Sequence, residues 1–194
     1  MTNLKNAISR LFILFIFYSV VGWIYEITYE TFIHRWTFMP REFFRGPICP
    51  IYGVGGVILY LLFYKILNNK KIKFIPKAII VFLITFIISS LLEYLASFLL
   101  EWTTGGWPWM GYTNYFMNFN GRVSLPTSLK FGALGVVFLL ILYNPTENFL
   151  NFLEQKKLLH KTALILFIIL ILDTLFAIIF PTNIKLNVER TTFF

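Results

Sequence analysis

The segment AIIVFLITFIISSLLEYLASFLLEW, from Ala78 to Trp102, contains only two charged residues, Glu93 and Glu101. A helix that crosses a bilayer needs about 20 predominantly apolar residues, because each residue rises about 1.5 Å and the hydrocarbon layer is about 30 Å thick. The segment is long enough and apolar enough to meet this requirement. We therefore predict a transmembrane helix from Ala78 to Trp102.

Four further apolar segments flank this one. The five predicted spans comprise residues 8–29, 50–67, 78–102, 124–143 and 162–180. Asn144 and Pro145 are expected to end the fourth helix, because proline lacks a backbone N–H and disfavours helix in the residue before it. The sequence thus predicts an all-α fold, a polytopic transmembrane helix bundle of about five spans.

The segments outside the spans are short. Residues 146–160 predict one short amphipathic helix on the membrane surface. Residues 1–182 are expected to form a single transmembrane domain, and residues 183–194 a short C-terminal tail. No soluble domain of appreciable size is predicted.

The composition agrees with a membrane protein and disagrees with a nucleic-acid-binding one. The chain of 194 residues is 58% hydrophobic and 13% charged, whereas about a quarter of the residues in a soluble domain are charged. The net charge is +8, but the lysines and arginines lie in short segments between apolar runs. A nucleic-acid site needs a folded basic face, so the expected partner of these charges is the lipid bilayer and no nucleic acid.

No cofactor and no metal site are predicted. Cys49 is the only cysteine, which excludes an intramolecular disulfide and the usual zinc spacings. The two histidines, His34 and His160, lie in different loops, far apart in the sequence.

The distribution of Lys and Arg predicts the orientation, because positively charged loops stay in the cytoplasm. The N-terminal tail and the second and fourth loops, counted together with Arg10 and Lys65 at the adjoining helix ends, hold ten of them, and the other three segments outside the spans hold six. A multi-pass protein with its N-terminus inside and its C-terminus outside is expected.

Seven charged residues are candidates for substrate binding or gating: Glu26, Glu30, Arg41, Arg45, Glu93, Glu101 and Arg122. With five spans, all seven lie toward one membrane face. A charge at a helix centre costs about 2.5 to 3.5 kcal/mol on insertion scales, so such residues usually face a bundle interior and find partners. We predict a pair of Glu93 and Arg122 with Glu26 beside it. The alternative is that these ion pairs only fix the loops to the bundle.

Polar residues also recur at helical spacing. Helix three has a stripe with a spacing of four residues, made of Thr85, Ser89, Glu93, Ser97 and Glu101. Helix one has a similar stripe, made of Ser19, Gly22, Glu26 and Glu30. We expect the two stripes to face each other or a shared polar cavity. Asp173 is expected to hydrogen-bond a neighbouring helix, and the aromatic residues between 102 and 115 to form an interfacial belt.

Three motifs resemble a family of small bacterial membrane proteins, the ABC-transporter permeases of the CmpB type. They are Gly46-Pro47-Ile48-Cys49-Pro50-Ile51-Tyr52-Gly53, Glu93-Tyr94, and Asn120-Gly121-Arg122-Val123 with Ser128 and Gly132. The resemblance implies a transport-related protein of a bacterial cytoplasmic membrane, working with a separate ATPase. One departure is Met110-Gly111-Tyr112-Thr113, where the family tends to show Trp-Asp-Tyr-Ser.

The first of these motifs opens helix two. Gly46, Pro47 and Pro50 before a glycine-rich first turn would suit a broken helix that lines a cavity and presents N–H groups to an anion. An ordinary loop leading into helix two is the alternative.

The expected function is that of a permease or permease subunit with its polar site at the ends of helices one and three. The sequence has no phosphate-binding loop, so ATP hydrolysis would need a partner, which the helix at 146–160 could dock. We do not expect an enzyme. The alternatives are an enzyme acting on a lipid or lipid-linked substrate, with Glu93 or Glu26 as base and Arg122 on a phosphate, and a structural or regulatory subunit that contacts another membrane protein. A homo-oligomer stays open.

Overall fold

The computed structural model describes residues 2–32, 46–107 and 109–180. In this part of the chain the α-helices are α1 (Thr2–Phe32), α2 (Pro50–Leu67), α3 (Phe74–Thr104), α4 (Leu125–Val137), α5 (Tyr143–Gln155) and α6 (Leu159–Ile179). The connector between α3 and α4 contains a 3-10 helix, Met110–Asn114, and a two-stranded antiparallel hairpin of β1 (Asn118–Phe119) and β2 (Val123–Ser124).

Five helices are long and apolar enough to cross a membrane: Leu4–Thr28, Pro50–Leu67, Phe74–Thr103, Leu125–Gln155 and Leu159–Ile179. The prediction of an all-α, polytopic bundle of five spans is thereby confirmed. The helices α1 and α3 extend several residues beyond the predicted spans. A backbone inside lipid must satisfy its own hydrogen bonds, and a helix does this within one long apolar segment.

The prediction that Asn144 and Pro145 end the fourth helix is wrong. A π-helical segment, Phe138–Leu142, joins α4 to α5 without a break, and Pro145 lies in the first turn of α5. In a regular helix the proline ring would clash with the carbonyl of Ile141, four residues earlier. The wider turn of the π-helix directly before it changes that spacing, so the chain stays helical.

The amphipathic helix predicted at 146–160 is present in part, as the second half of this long helix. In α5 the side chains of Thr146, Leu150 and Leu153 are buried, whereas Phe149 and Phe152 are about half exposed. The helix ends at Gln155, followed by Lys157 with a φ of 57°. The N–H of Leu158 then bonds the carbonyl of Leu153 at 2.8 Å, which closes the helix end.

The described chain divides into two compact units. The first comprises residues 2–32, 46–58 and 144–180, and the second comprises residues 59–107 and 109–143. The single transmembrane domain predicted from the sequence stays a prediction.

In the first unit, glycines allow α1 and α2 to approach closely. A Cβ on Gly53 would overlap the side chains of Ser19 and Phe15, and one on Gly22 would overlap the ring of Tyr52. The backbone N–H of Cys49 donates to the carbonyl of Ser19 at 3.2 Å. Small residues at helix contacts compensate for the weak apolar driving force between helices in lipid.

In the second unit, α3 and α4 pack through small and hydroxyl-bearing residues. The hydroxyl of Ser90 donates to that of Ser128 at 2.7 Å, and Gly135 leaves no room for a Cβ beside Thr85. In the same unit, Phe63 of α2 and Val81 of α3 are fully buried. The polar stripe predicted on helix three thus faces α4 over part of its length.

Candidate functional site

The connector between α3 and α4 is folded by a tight turn at Asn120-Gly121. Both central residues have positive φ, 54° for Asn120 and 64° for Gly121, which asparagine and glycine adopt more readily than other residues. The turn is closed by the N–H of Arg122, which donates to the carbonyl of Phe119 at 3.0 Å. The turn therefore determines where Arg122 leaves the hairpin.

Arg122 is 8% exposed and contacts the end of α3. Its guanidinium donates to the hydroxyl of Ser97 at 3.0 Å and forms an ion pair with Glu101. The same group lies between the rings of Phe98 and Trp107, 4.0 Å from each ring centroid. A planar cation that lies against two aromatic rings and has two polar partners is well stabilised despite its burial.

The neighbouring indoles fix the backbone of the hairpin. The Nε1–H of Trp109 donates to the carbonyl of Arg122 at 2.8 Å, and that of Trp107 donates to the carbonyl of Gly121 at 3.4 Å. The connector is thus held by both its side chains and its main chain.

Glu93 is the deepest carboxylate of α3 and is 6% exposed. Its Oε1 accepts a hydrogen bond of 3.0 Å from the hydroxyl of Tyr112, in the 3-10 helix of the connector. Glu93, Ser97 and Glu101 follow one another at a spacing of four residues, so they share one face of α3. Each of the three binds a residue of the connector, and this face is therefore where the connector is attached.

The predicted pair of Glu93 and Arg122 is not what the structure contains. Arg122 binds Glu101, two helical turns closer to the start of the connector, and Tyr112 binds Glu93. The short hairpin that carries Arg122 folds back only as far as Ser97. Tyr112 was not predicted as a partner of Glu93, because the fold of the connector has no periodic pattern that reveals it.

The first unit contains a second polar contact. The hydroxyl of Tyr52, in the first turn of α2, donates to Glu26 of α1, and the ring of Tyr25 lies edge-on to that of Tyr52 at 6.1 Å. Glu26 thus has a described partner in the helix-opening motif. Whether Glu26 lies beside Glu93 stays a prediction.

The rest of the helix-opening motif is fixed by backbone contacts. The N–H of Gly46 donates to Asp173 of α6 at 2.7 Å. Pro50 is the first residue of α2, a position where a missing N–H costs nothing, and Cys49 is buried. The sequence predicted that Asp173 hydrogen-bonds a neighbouring helix. Its described partner is instead the segment before α2.

For three other candidate residues the structure describes no side-chain contacts. Arg41 and Arg45 lie outside the described residues. Glu30 belongs to α1, but its side chain is also outside the described part of the structure.

One charged network was missed by the sequence analysis. Arg10 of α1 binds Glu147 through two contacts of 3.0 and 3.2 Å, Glu154 at 2.9 Å and Asn151 at 2.9 Å, all on α5. Asn6 adds a hydrogen bond of 2.6 Å to Glu154. The spacing of 147, 151 and 154 on one helix face was a usable signal, but its partner is about 140 residues away.

Two buried hydroxyls complete the set of polar groups. Among the described residues, those of Ser19 and Thr85 have no hydrogen-bond partner, which is uncommon for buried polar atoms. No group of three His, Cys, Asp or Glu side chains that could hold a metal ion occurs in the described segments. The described polar groups thus include one buried carboxylate, that of Glu93, and several buried hydroxyls, which are groups that can exchange hydrogen-bond partners.

Comparison with known proteins gives one result. A family model described as "Putative ABC-transporter type IV" matches residues 13–178. No curated protein and no solved structure matches significantly.

Proposed function

Because the chain belongs to the ABC-transporter type IV family, we propose that it is the permease, or a permease subunit, of an ABC-type transporter. A polar or amphiphilic solute would be bound or gated where α3 meets its connector. The observation that carries this proposal is the single α3 face on which Glu93, Ser97 and Glu101 hold Tyr112 and Arg122. Ionisable groups inside membrane spans commonly mark a solute or ion pathway.

The connector is suited to act as a gate. Tyr112 is bound to α3 through its hydrogen bond to Glu93, whereas Arg122 also stacks on Phe98, so a solute with a hydrogen-bonding group competes directly with Tyr112 for Glu93. The Asn120-Gly121 turn and the two indoles keep Arg122 positioned when Tyr112 moves. Opening then requires exchange of a hydrogen bond, with the hairpin remaining folded.

A separate ATPase supplies the energy in this proposal. The sequence contains no Gly-x-x-x-x-Gly-Lys-Ser/Thr loop to bind nucleotide phosphates. The exposed side of α5 is the proposed docking surface, because Phe149 and Phe152 are half exposed there. Arg10 binds Glu147 and Glu154 on α5 and fixes the helix to α1.

A charge swap separates a working site from a purely structural one. Arg122→Glu and Glu101→Arg each lower the abundance of the protein, and the double variant restores the ion pair. The double variant still lacks the stacking on Phe98 and Trp107, so we expect it to regain part of the abundance but no solute-stimulated ATP hydrolysis by the purified complex. Recovery of both abundance and solute-stimulated ATP hydrolysis would mean that the ion pair only stabilises the structure, and it would favour a regulatory subunit.

The partner itself is tested by isolation. The tagged protein, crosslinked in native membranes, is expected to co-purify with an ATP-hydrolysing subunit, and Glu93→Gln to abolish stimulation of that subunit while leaving abundance unchanged. Absence of any ATPase, together with unchanged solute uptake in cells lacking the protein, would refute the permease proposal.

A further inference from the structure

The turn between α2 and α3 carries charge of one sign. Residues 43–92 include no Asp or Glu, but they include five lysines: Lys65, Lys70, Lys71, Lys73 and Lys77. The first four are exposed. In the described part of the chain, none of the five takes part in a salt bridge. The positive charge of the turn is therefore available to a partner.

Hydrogen bonds hold this turn in shape. The side-chain carbonyl of Asn69 accepts from the N–H of Lys71 at 2.9 Å, and the side-chain amide of Asn68 donates to the hydroxyl of Tyr143 at 2.7 Å. The ammonium group of Lys77 donates to the carbonyl of Leu67 at 2.9 Å. Lys77 thus stabilises the turn, and the exposed lysines are presented from a fixed backbone.

The position of the turn brings these lysines to the edge of the bilayer. Only six residues, 68–73, separate two helices that are each long enough to cross a membrane. Directly after Lys73, Phe74 and Ile75 are 68% and 69% exposed. The surface therefore changes from cationic to apolar within one helical turn.

This order matches a phospholipid, whose anionic headgroup lies above its acyl chains. An acidic protein in the aqueous phase would neutralise the lysines, but it would not cover the apolar side chains on the bilayer side of them. We propose that the α2–α3 turn, through Lys70, Lys71 and Lys73, is a docking surface for the headgroups of anionic phospholipids, with Phe74 and Ile75 in contact with the acyl chains.

The test measures lipid preference directly and needs no transport assay. The purified full-length protein is reconstituted in phosphatidylcholine vesicles with a trace of spin-labelled phosphatidylglycerol or spin-labelled phosphatidylcholine. The motionally restricted fraction in the electron paramagnetic resonance spectrum gives the relative association constant. We expect a preference for phosphatidylglycerol on the order of fivefold, because each headgroup carries one negative charge and a contact with one lysine contributes about this factor. The triple variant K70Q/K71Q/K73Q is expected to show near parity.

Two triple variants serve as matched controls. K156Q/K157Q/K161Q removes the same charge from the turn between α5 and α6 and from the first turn of α6, and K70R/K71R/K73R keeps the charge at the tested turn. Both are expected to retain the wild-type preference. Circular dichroism and gel filtration check that each variant is folded, and K70Q/K71Q replaces the triple variant if it is not.

Three results would overturn the proposal. They are a wild-type protein that binds both lipids equally, a glutamine variant of the turn that keeps the wild-type preference, and equal losses in the two triple glutamine variants, which would indicate net charge alone. None of these results depends on whether the protein is a permease.

Discussion

Arg122 satisfies three requirements at the same time, which a lysine in its place would not. It pairs with Glu101, donates to Ser97 and stacks between Phe98 and Trp107. Only a planar guanidinium presents polar edges and two apolar faces at once. The energetic value of this residue therefore lies in its shape as well as its charge.

We predict a graded response to substitution of Arg122. Arg122→Lys keeps the charge but loses the stacking, and should lower the free energy of unfolding by about 1 kcal/mol. Arg122→Gln also leaves Glu101 without its ion pair and should cost about 2 to 3 kcal/mol, a value reduced by the partial exposure of Glu101. Thermal unfolding in detergent measures both. Equal losses in the two variants would show that the ion pair contributes little, and a neutral Arg122→Lys would show the same for the stacking.

The turn before Arg122 gives a second prediction. Gly121→Ala should cost about 1 to 2 kcal/mol, because φ is 64° and a Cβ would lie 2.6 Å from the methyl group of Thr113. Asn120→Gly is the matched control and should be nearly neutral, since glycine also adopts positive φ. Both variants are compared by thermal unfolding. A neutral Gly121→Ala would mean that the hairpin adjusts its turn.

The sequence did not predict the hydrogen-bond partner of Glu93. The spacing of residues 93, 97 and 101 correctly placed three polar groups on one helix face. It did not reveal which of them Arg122 would reach, because that depends on the hairpin geometry. The charges were predictable, and their partners were not.

The close contact of α1 with α2 depends on Gly53, a residue without a side chain. Gly53→Ala should lower the free energy of unfolding by about 2 to 3 kcal/mol, because the new Cβ overlaps Ser19 and Phe15. Val54→Ala, at the next position on an exposed side of α2, should change it by less than about 0.5 kcal/mol. Thermal unfolding in the same detergent tests the contrast. Similar losses in both variants would contradict this packing.

Glu147 and Glu154 both pair with Arg10 where α1 contacts α5, but we predict that they contribute unequally to stability. The Glu147 side chain is 15% exposed and contacts Arg10 twice, whereas that of Glu154 is 40% exposed. A double-mutant cycle should give a coupling energy with Arg10 of about 1 to 2 kcal/mol for Glu147→Gln and about 0.5 kcal/mol for Glu154→Gln. The reverse order would show that exposure does not control these pairs.

The element boundaries followed from the sequence except where the backbone compensated locally. Apolar length predicted each span, because a helix satisfies all backbone hydrogen bonds within one apolar segment. Pro145 was expected to end a helix, yet the π-helical segment before it allows the chain to continue. Such compensation is a property of the folded backbone and has no counterpart in hydropathy.

For the molecule as a whole, five spans have consequences that can be measured. An odd number of crossings places the two termini on opposite sides, and the excess of Lys and Arg predicts the N-terminus inside. A reporter active only in the cytoplasm should function at the N-terminus and fail at the C-terminus. Activity at the C-terminus would invert the orientation or change the number of spans.

The burial of Arg122 against Trp107 has a spectroscopic consequence. An indole 4.0 Å from a guanidinium experiences a local electric field that Trp102, 85% exposed, does not. Its ultraviolet emission should therefore differ in wavelength and lifetime from that of the exposed indole. In a variant that keeps Trp107 as its single tryptophan, that emission would report whether Arg122 stays stacked on the ring.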